Sequence, residues 1–218
     1  MKEDILEELV DGYFLRQPAV FTKHNVKYRP DLKGIHKSKK NKYSVHSDID
    51  VLTINLQNKS VNVVSCKSWQ GGLDVKKHLD WLSNPNKHTK KVSGREIWKS
   101  FRELTDKTWA SAFRKKIYEE TKSKSFTYII AVTKLRNEKY KEEFVNCKVF
   151  NNILSNNGEF KVKIKFLTLE EMLTSIIEAR SGTAIESTEI GRFIQLISAA
   201  NLTIQNNGNR NRTQISDK

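Results

Sequence analysis

Cysteine is scarce in this 218-residue chain: there are two, Cys66 and Cys147. Two scattered cysteines make neither a disulfide framework nor a zinc ligand set, and a reducing cytoplasm is the setting they fit. Long apolar runs are missing as well. None approaches the roughly 20 residues that cross a bilayer, so no membrane span is expected. Met1-Lys2-Glu3-Asp4 does not read as the start of a secretory signal peptide. No internal repeat is present, and no motif supports an RNA-binding role. Carboxylates are short of cations: 25 Asp and Glu stand against 39 Lys and Arg, a formal charge of +14. Such an excess attracts polyanions, of which nucleic acid is the commonest. A merely soluble, lysine-rich surface is the alternative.

The chain has the length of one domain with a modest extension, enough to bury a core without staples. We expect a single domain over 1–204 and a disordered, Asn-rich polar tail over 205–218. Residues 3–14 read as an amphipathic helix with Leu6, Leu9, Val10 and Tyr13 on its apolar face. A strand is expected over 19–28, then a polar loop over 31–45. β-branched residues mark strands at 47–56 and 60–67, joined by a turn at Gln57-Asn58-Lys59. Gly71-Gly72 precedes a helix carrying Val75, Leu79 and Leu82. Ser93-Gly94-Arg95-Glu96 has capping-box spacing and predicts one long helix to about residue 122, with Ile97, Phe101, Leu104, Trp109, Phe113 and Ile117 as its stripe. A buried strand at 126–132, a helix near 137–150 and an alternating strand at 160–166 with a lysine face follow. Thr168-Leu169-Glu170-Glu171 opens a helix to about 180, and a last helix is expected over 188–201. The order predicts a three-layer α/β fold with a central mixed β-sheet flanked by helices.

Chemistry concentrates in the two strands at 47–67. Asp48 and Asp50 share one strand face, and so do Ser65 and Lys67 on the next strand. Pairing about Gln57–Lys59 sets Asp50 opposite residues near 65–67, so a carboxylate and an ammonium meet at one end of the ribbon. A carboxylate can hold Mg²⁺, which neutralises a phosphodiester and lowers the pKa of its bound water. A lysine beside that water stabilises developing negative charge. His46, His78 and His88 read as loop or surface residues, and Trp69 as a packing residue.

The layout Asp50…Ser65-Cys66-Lys67 resembles the PD-(D/E)XK nuclease superfamily, which includes many type II restriction endonucleases and junction resolvases. Asp-Ile-Asp-Val-Leu resembles its first motif and Ser-Cys-Lys its (D/E)-X-K. The resemblance covers about residues 3–70. It implies a restriction-endonuclease-like fold, with Asp50 as metal-binding aspartate, Lys67 as motif lysine and the Cys66 main-chain carbonyl as a further ligand. It also implies a Mg²⁺ cofactor, with Mn²⁺ as a substitute. Ser65 departs from the pattern by standing at the second acidic position. Asp48 or the Gln70 amide oxygen are candidates for the missing ligand. Glu7, in Leu-Glu-Glu-Leu-Val, matches the glutamate that relatives carry on the first helix.

What the resemblance implies is a cytoplasmic, Mg²⁺-dependent DNA endonuclease, of a type II-like restriction or defence system. The alternatives are a non-catalytic DNA-binding subunit on a degenerate nuclease fold, and a junction resolvase or repair nuclease. Double-stranded DNA is the expected partner. Lys37, Lys39, Lys40, Lys87, Lys90, Lys91 and Arg95 are the candidate DNA contacts. Cutting both strands calls for a homodimer or a nuclease partner subunit, with the Ile190/Phe193/Ile194/Ile197 face as one candidate surface.

Overall fold

The computed structural model describes residues 4–33, 40–92, 94–178, 192, 193 and 196. Their elements, in chain order, are α1 (Ile5–Leu15), β1 (Val20–Tyr28), α2 (Lys40–Tyr43), β2 (Ser47–Asn55), β3 (Val61–Lys67), β4 (Leu73–Asp74) and α3 (Val75–Ser83). Then come β5 (Lys91–Val92), β6 (Arg95–Glu96), α4 (Arg102–Thr105), α5 (Lys107–Thr121), β7 (Ser125–Val132), β8 (Leu135–Arg136), α6 (Lys141–Val145), α7 (Lys148–Ser155), β9 (Lys161–Thr168) and α8 (Leu169–Glu178). The compact unit built from them runs Met1–Arg180, and Ser181–Lys218 form a second unit. The expected last helix, apart from Arg192, Phe193 and Leu196, and the tail lie outside the described residues.

The central sheet has the order β1-β2-β3-β7-β9. β1–β2 and β2–β3 pair antiparallel, while β3–β7 and β7–β9 pair parallel, so the sheet is mixed. The β2–β3 turn follows from local chemistry. Asn55 Oδ1 accepts from the Gln57 and Asn58 N–H groups, and Lys59 takes a left-handed φ of 56°. α1 and α8 pack together on one side of the sheet. On the other side α3 to α7 bury Trp109, Phe101, Phe113, Phe144 and Phe150 against Val63, Tyr128 and Ile130. The result is a three-layer α/β fold, and among the described residues no helix is long and apolar enough to cross a membrane.

α1 starts where Asp4 accepts from the Leu6 N–H, and it buries Leu6, Leu9, Val10 and Phe14. The expected box at the head of α8 forms in full: Glu171 accepts from the Thr168 N–H, and the Glu171 N–H reaches the Thr168 hydroxyl. Gly72 is required where it stands. Its φ is 72°, and a Cβ there would lie 2.6 Å from the Lys134 carbonyl oxygen.

Two long helices expected from the sequence are broken. Instead of one helix over 93–122, β5 and β6 pair antiparallel across Gly94, whose φ is 78°. A 3₁₀ turn over Ile97–Ser100 leads to α4, and Asp106 interrupts the chain before α5. The Asp106 carboxylate accepts from the Thr108 and Trp109 N–H groups and so caps a new helix instead of continuing the old one. Similarly, the helix near 137–150 is α6 and α7, separated at Asn146–Cys147. The Asn151 side-chain amide holds that break by donating to the Val145 and Cys147 carbonyls.

Candidate active site

β2 and β3 carry the expected residues to one end of the sheet. The paired register ends at Val51↔Val64, so the strands part just as Asp50 and Ser65 are reached. On the other flank, the rung between Asn25 and Asp50 is missing although His24↔Val51 and Val26↔Ile49 are both paired. Asn25 is left-handed there, with φ 51°. Freed from ladder geometry, the Asp50 carboxylate turns to β3 and accepts from the Cys66 N–H at 2.5 Å. N–H and C=O of one strand residue face the same neighbour, so the Cys66 carbonyl opens on that side too.

A cleft of about 390 Å³ opens here. Asp48, Asp50, Ser65 and Lys67 all line it, so Asp50 and Lys67 serve one space. Lys67 Nζ donates to the Ser65 hydroxyl at 2.7 Å and rests 5.4 Å from the Phe101 ring centre. Ser65 is therefore the lysine's tether. Burial pushes the Asp50 carboxyl above its ordinary value; the Lys67 charge and the Cys66 N–H oppose the rise, while Asp48 and Glu103 reinforce it. Burial, then the Asp50 charge, lifts the Cys66 thiol.

Glu103 is the residue that sequence reasoning missed. It lies on α4, is 5% exposed, and lines the same cleft. Its carboxylate accepts from the Tyr28 hydroxyl of β1 at 3.3 Å and from the Tyr128 hydroxyl of β7. Burial and the Glu103 charge raise both phenols well above their ordinary value, so both remain donors. The cleft thus holds a second buried carboxylate, supplied from a helix opposite the sheet and not from position 65.

Glu7 of α1 approaches from the other side. Burial, then the charges of Asp50 and Asp4, push its carboxyl up to about 7, with His24 opposing. The sequence match that singled out Glu7 therefore falls on a half-buried glutamate electrostatically joined to Asp50. Gln70 is exposed and outside the cleft lining.

The candidate DNA contacts divide. Arg95 sits on β6, not on a helix, and lines the cleft together with Lys99. Lys90 and Lys91 are exposed beside it. Lys87 is engaged with Asp80 at 2.7 Å. Lys37 and Lys39 lie outside the described residues, as does the side chain of Lys40. His78 is not at the surface: it is 3% exposed and stacks on Trp69, ring centres 5.2 Å apart, which also confirms Trp69 as a packing residue.

The donor set can be tested against Mg²⁺. Among the described residues no three His, Cys, Asp or Glu side chains form a ready metal cage. Mg²⁺ is commonly held by one or two carboxylates plus water and substrate phosphate. Asp50 and Glu103, two carboxylates lining one partly buried cleft, the second raising the proton affinity of the first, fit that requirement. No family model, curated protein or solved structure matches this chain.

Proposed function

We propose that the chain is a metal-dependent DNA endonuclease that hydrolyses phosphodiester bonds, of the type used in restriction or defence. The observation that carries this reading is the joint opening of Asp50, Lys67 and Glu103 into one polar cleft of a strongly basic α/β protein. The similarity of Asp50…Ser65-Cys66-Lys67 to the PD-(D/E)XK pattern supports it, since both motifs fall on adjacent strands.

Mg²⁺ bound in the cleft would neutralise the phosphate and acidify a water molecule. Asp50, Glu103 and the Cys66 carbonyl, with Asp48 beside them in the cleft lining, are the oxygens available to hold it. Lys67, fixed by Ser65, points an ammonium at the attacked phosphate and stabilises the charge that develops there. Tyr28 and Tyr128 donate to Glu103 and orient its carboxylate. Arg95 and Lys99 at the rim offer contacts to neighbouring phosphates. Cutting both strands would take a second copy or a partner nuclease subunit.

Plasmid cleavage in Mg²⁺ tests the reading. Asp50→Ala and Lys67→Ala should each lower the rate by about 100-fold or more, and equal cleavage by all three proteins would reject the site. One observation favours a second reading, a DNA-binding subunit without hydrolysis: Ser65 is committed to Lys67 and supplies no charge. Salt-dependent DNA binding with no cleavage in either Mg²⁺ or Mn²⁺ would select it.

A further inference from the structure

A second basic concavity lies beside the cleft. A groove of about 640 Å³ runs between the end of β1 with its continuation Pro30–Leu32 and the outer side of α5. Lys27 and Arg29, two residues apart, line it from the strand side; both are exposed and have no carboxylate partner among the described residues. Lys115 faces them from α5, 76% exposed at its side chain, with its nearest carboxylate, Glu119, only at 4.0 Å. The hydroxyls of Thr108 and Ser111 stand along the same wall. Asp31 is turned to the Lys33 N–H at 2.9 Å and does not neutralise the strand cations.

Groove and cleft share a wall. Tyr28 lines the groove, while its hydroxyl donates to Glu103 inside the cleft. Its strand partner Ser47 lines the cleft. Whatever polyanion reaches Asp50 and Lys67 therefore has this groove next to it.

We propose that the groove seats the phosphodiester backbone of duplex DNA alongside the phosphate presented to Asp50 and Lys67, a placement that rests on the nuclease reading for the position of the cut. The chemistry is that of backbone positioning. A guanidinium gives two parallel donors to one phosphate, ammonium groups add point charge, and hydroxyls donate without reading sequence. The other lysine array on the sheet, Lys161, Lys163 and Lys165 on β9, lies at the opposite sheet edge. It provides a control matched in charge.

The test uses the full chain with Arg29→Ala/Lys115→Ala, and Lys161→Ala/Lys163→Ala as control. Binding of a short fluorescent duplex in Ca²⁺ is followed by anisotropy across a salt series, after circular dichroism has shown that both variants fold. The groove variant should bind about tenfold or more weakly, with a log–log salt slope smaller by about two. The control should change less, and cleavage by the groove variant at saturating DNA in Mg²⁺ should stay within a few-fold of wild type. A groove variant with wild-type affinity and slope, or one no weaker than the control, overturns the proposal. Failure of the catalytic reading shows separately, as an Asp50→Ala protein that cuts like wild type while the binding comparison still stands.

Discussion

On the proposed nuclease reading, Ser65 and Glu103 divide between them the work that a second motif carboxylate would do alone. Ser65 holds the lysine, and Glu103 brings the charge. Glu103→Gln should reduce Mg²⁺-dependent cleavage by about 100-fold or more. Ser65→Ala should reduce it by less than about tenfold, because it loosens Lys67 without removing a charge. Plasmid nicking rates measure both, and a Glu103→Gln enzyme as fast as wild type would leave the metal to Asp50 and Asp48. Glu7 gives a pH dependence with a definite sign. Its folded pKa, about 7, lies above its ordinary 4.5. Its contribution to stability is therefore complete below about 4.5 and is lost as pH rises toward 7. Urea unfolding of wild type over that window should show a downward slope that Glu7→Gln flattens; parallel curves would mean that Glu7 does not titrate there. Asp50 and Lys67 were legible in the sequence because strand alternation and a short loop fix which residues oppose one another, and Glu7 only through the likeness of its helix to the family's first helix. Glu103 was not, since its approach depends on how α4 docks and no local pattern records that.

Elements differ in how openly the sequence declares them. The β2–β3 hairpin and the head of α8 are local events, and their turn and cap residues stand where the structure uses them. The segment 97–117 is instructive because its apolar residues were read correctly and its continuity was not. At 100° per residue, Ile97, Phe101 and Leu104 cluster within about 60°, while Trp109, Phe113 and Ile117 fall on a face roughly 150° further round. One straight helix cannot bury both faces against one sheet, so the chain breaks, and it breaks at Asp106. That carboxylate caps α5, takes an ammonium from Lys42 at 2.5 Å and accepts from the Tyr43 hydroxyl at 3.1 Å. Asp106→Ala should destabilise the protein by about 1–2 kcal/mol. Burial works against ionisation here, but Lys42 and the helix N–H groups outweigh it and hold the carboxyl below its ordinary value. The stability Asp106 supplies is thus present above about pH 4 and lost on further acidification. Thermal melts at pH 7 and pH 3 test this: the variant should fall short of wild type at pH 7 and approach it at pH 3. A deficit that stays constant with pH would assign the loss to packing instead.

At the scale of the whole molecule, the sheet joins two kinds of pairing. Strands β1, β2 and β3 are consecutive in sequence, β2 and β3 closing by a short turn and β1 joining β2 through the segment 29–46, whereas β7 can lie beside β3 only after the longer crossover containing α3, α4 and α5 has returned. Local antiparallel contacts form sooner than pairings that must close a long loop. Asp50 and Lys67 ride on the early half, and Glu103 travels on the crossover. The cleft would then be half built before its third charged wall arrives. Pulse-labelled hydrogen exchange during refolding should find the β2–β3 amides protected ahead of those of β9. Simultaneous protection of the two halves would mean instead that the ribbon has no separate existence before the crossover helices dock.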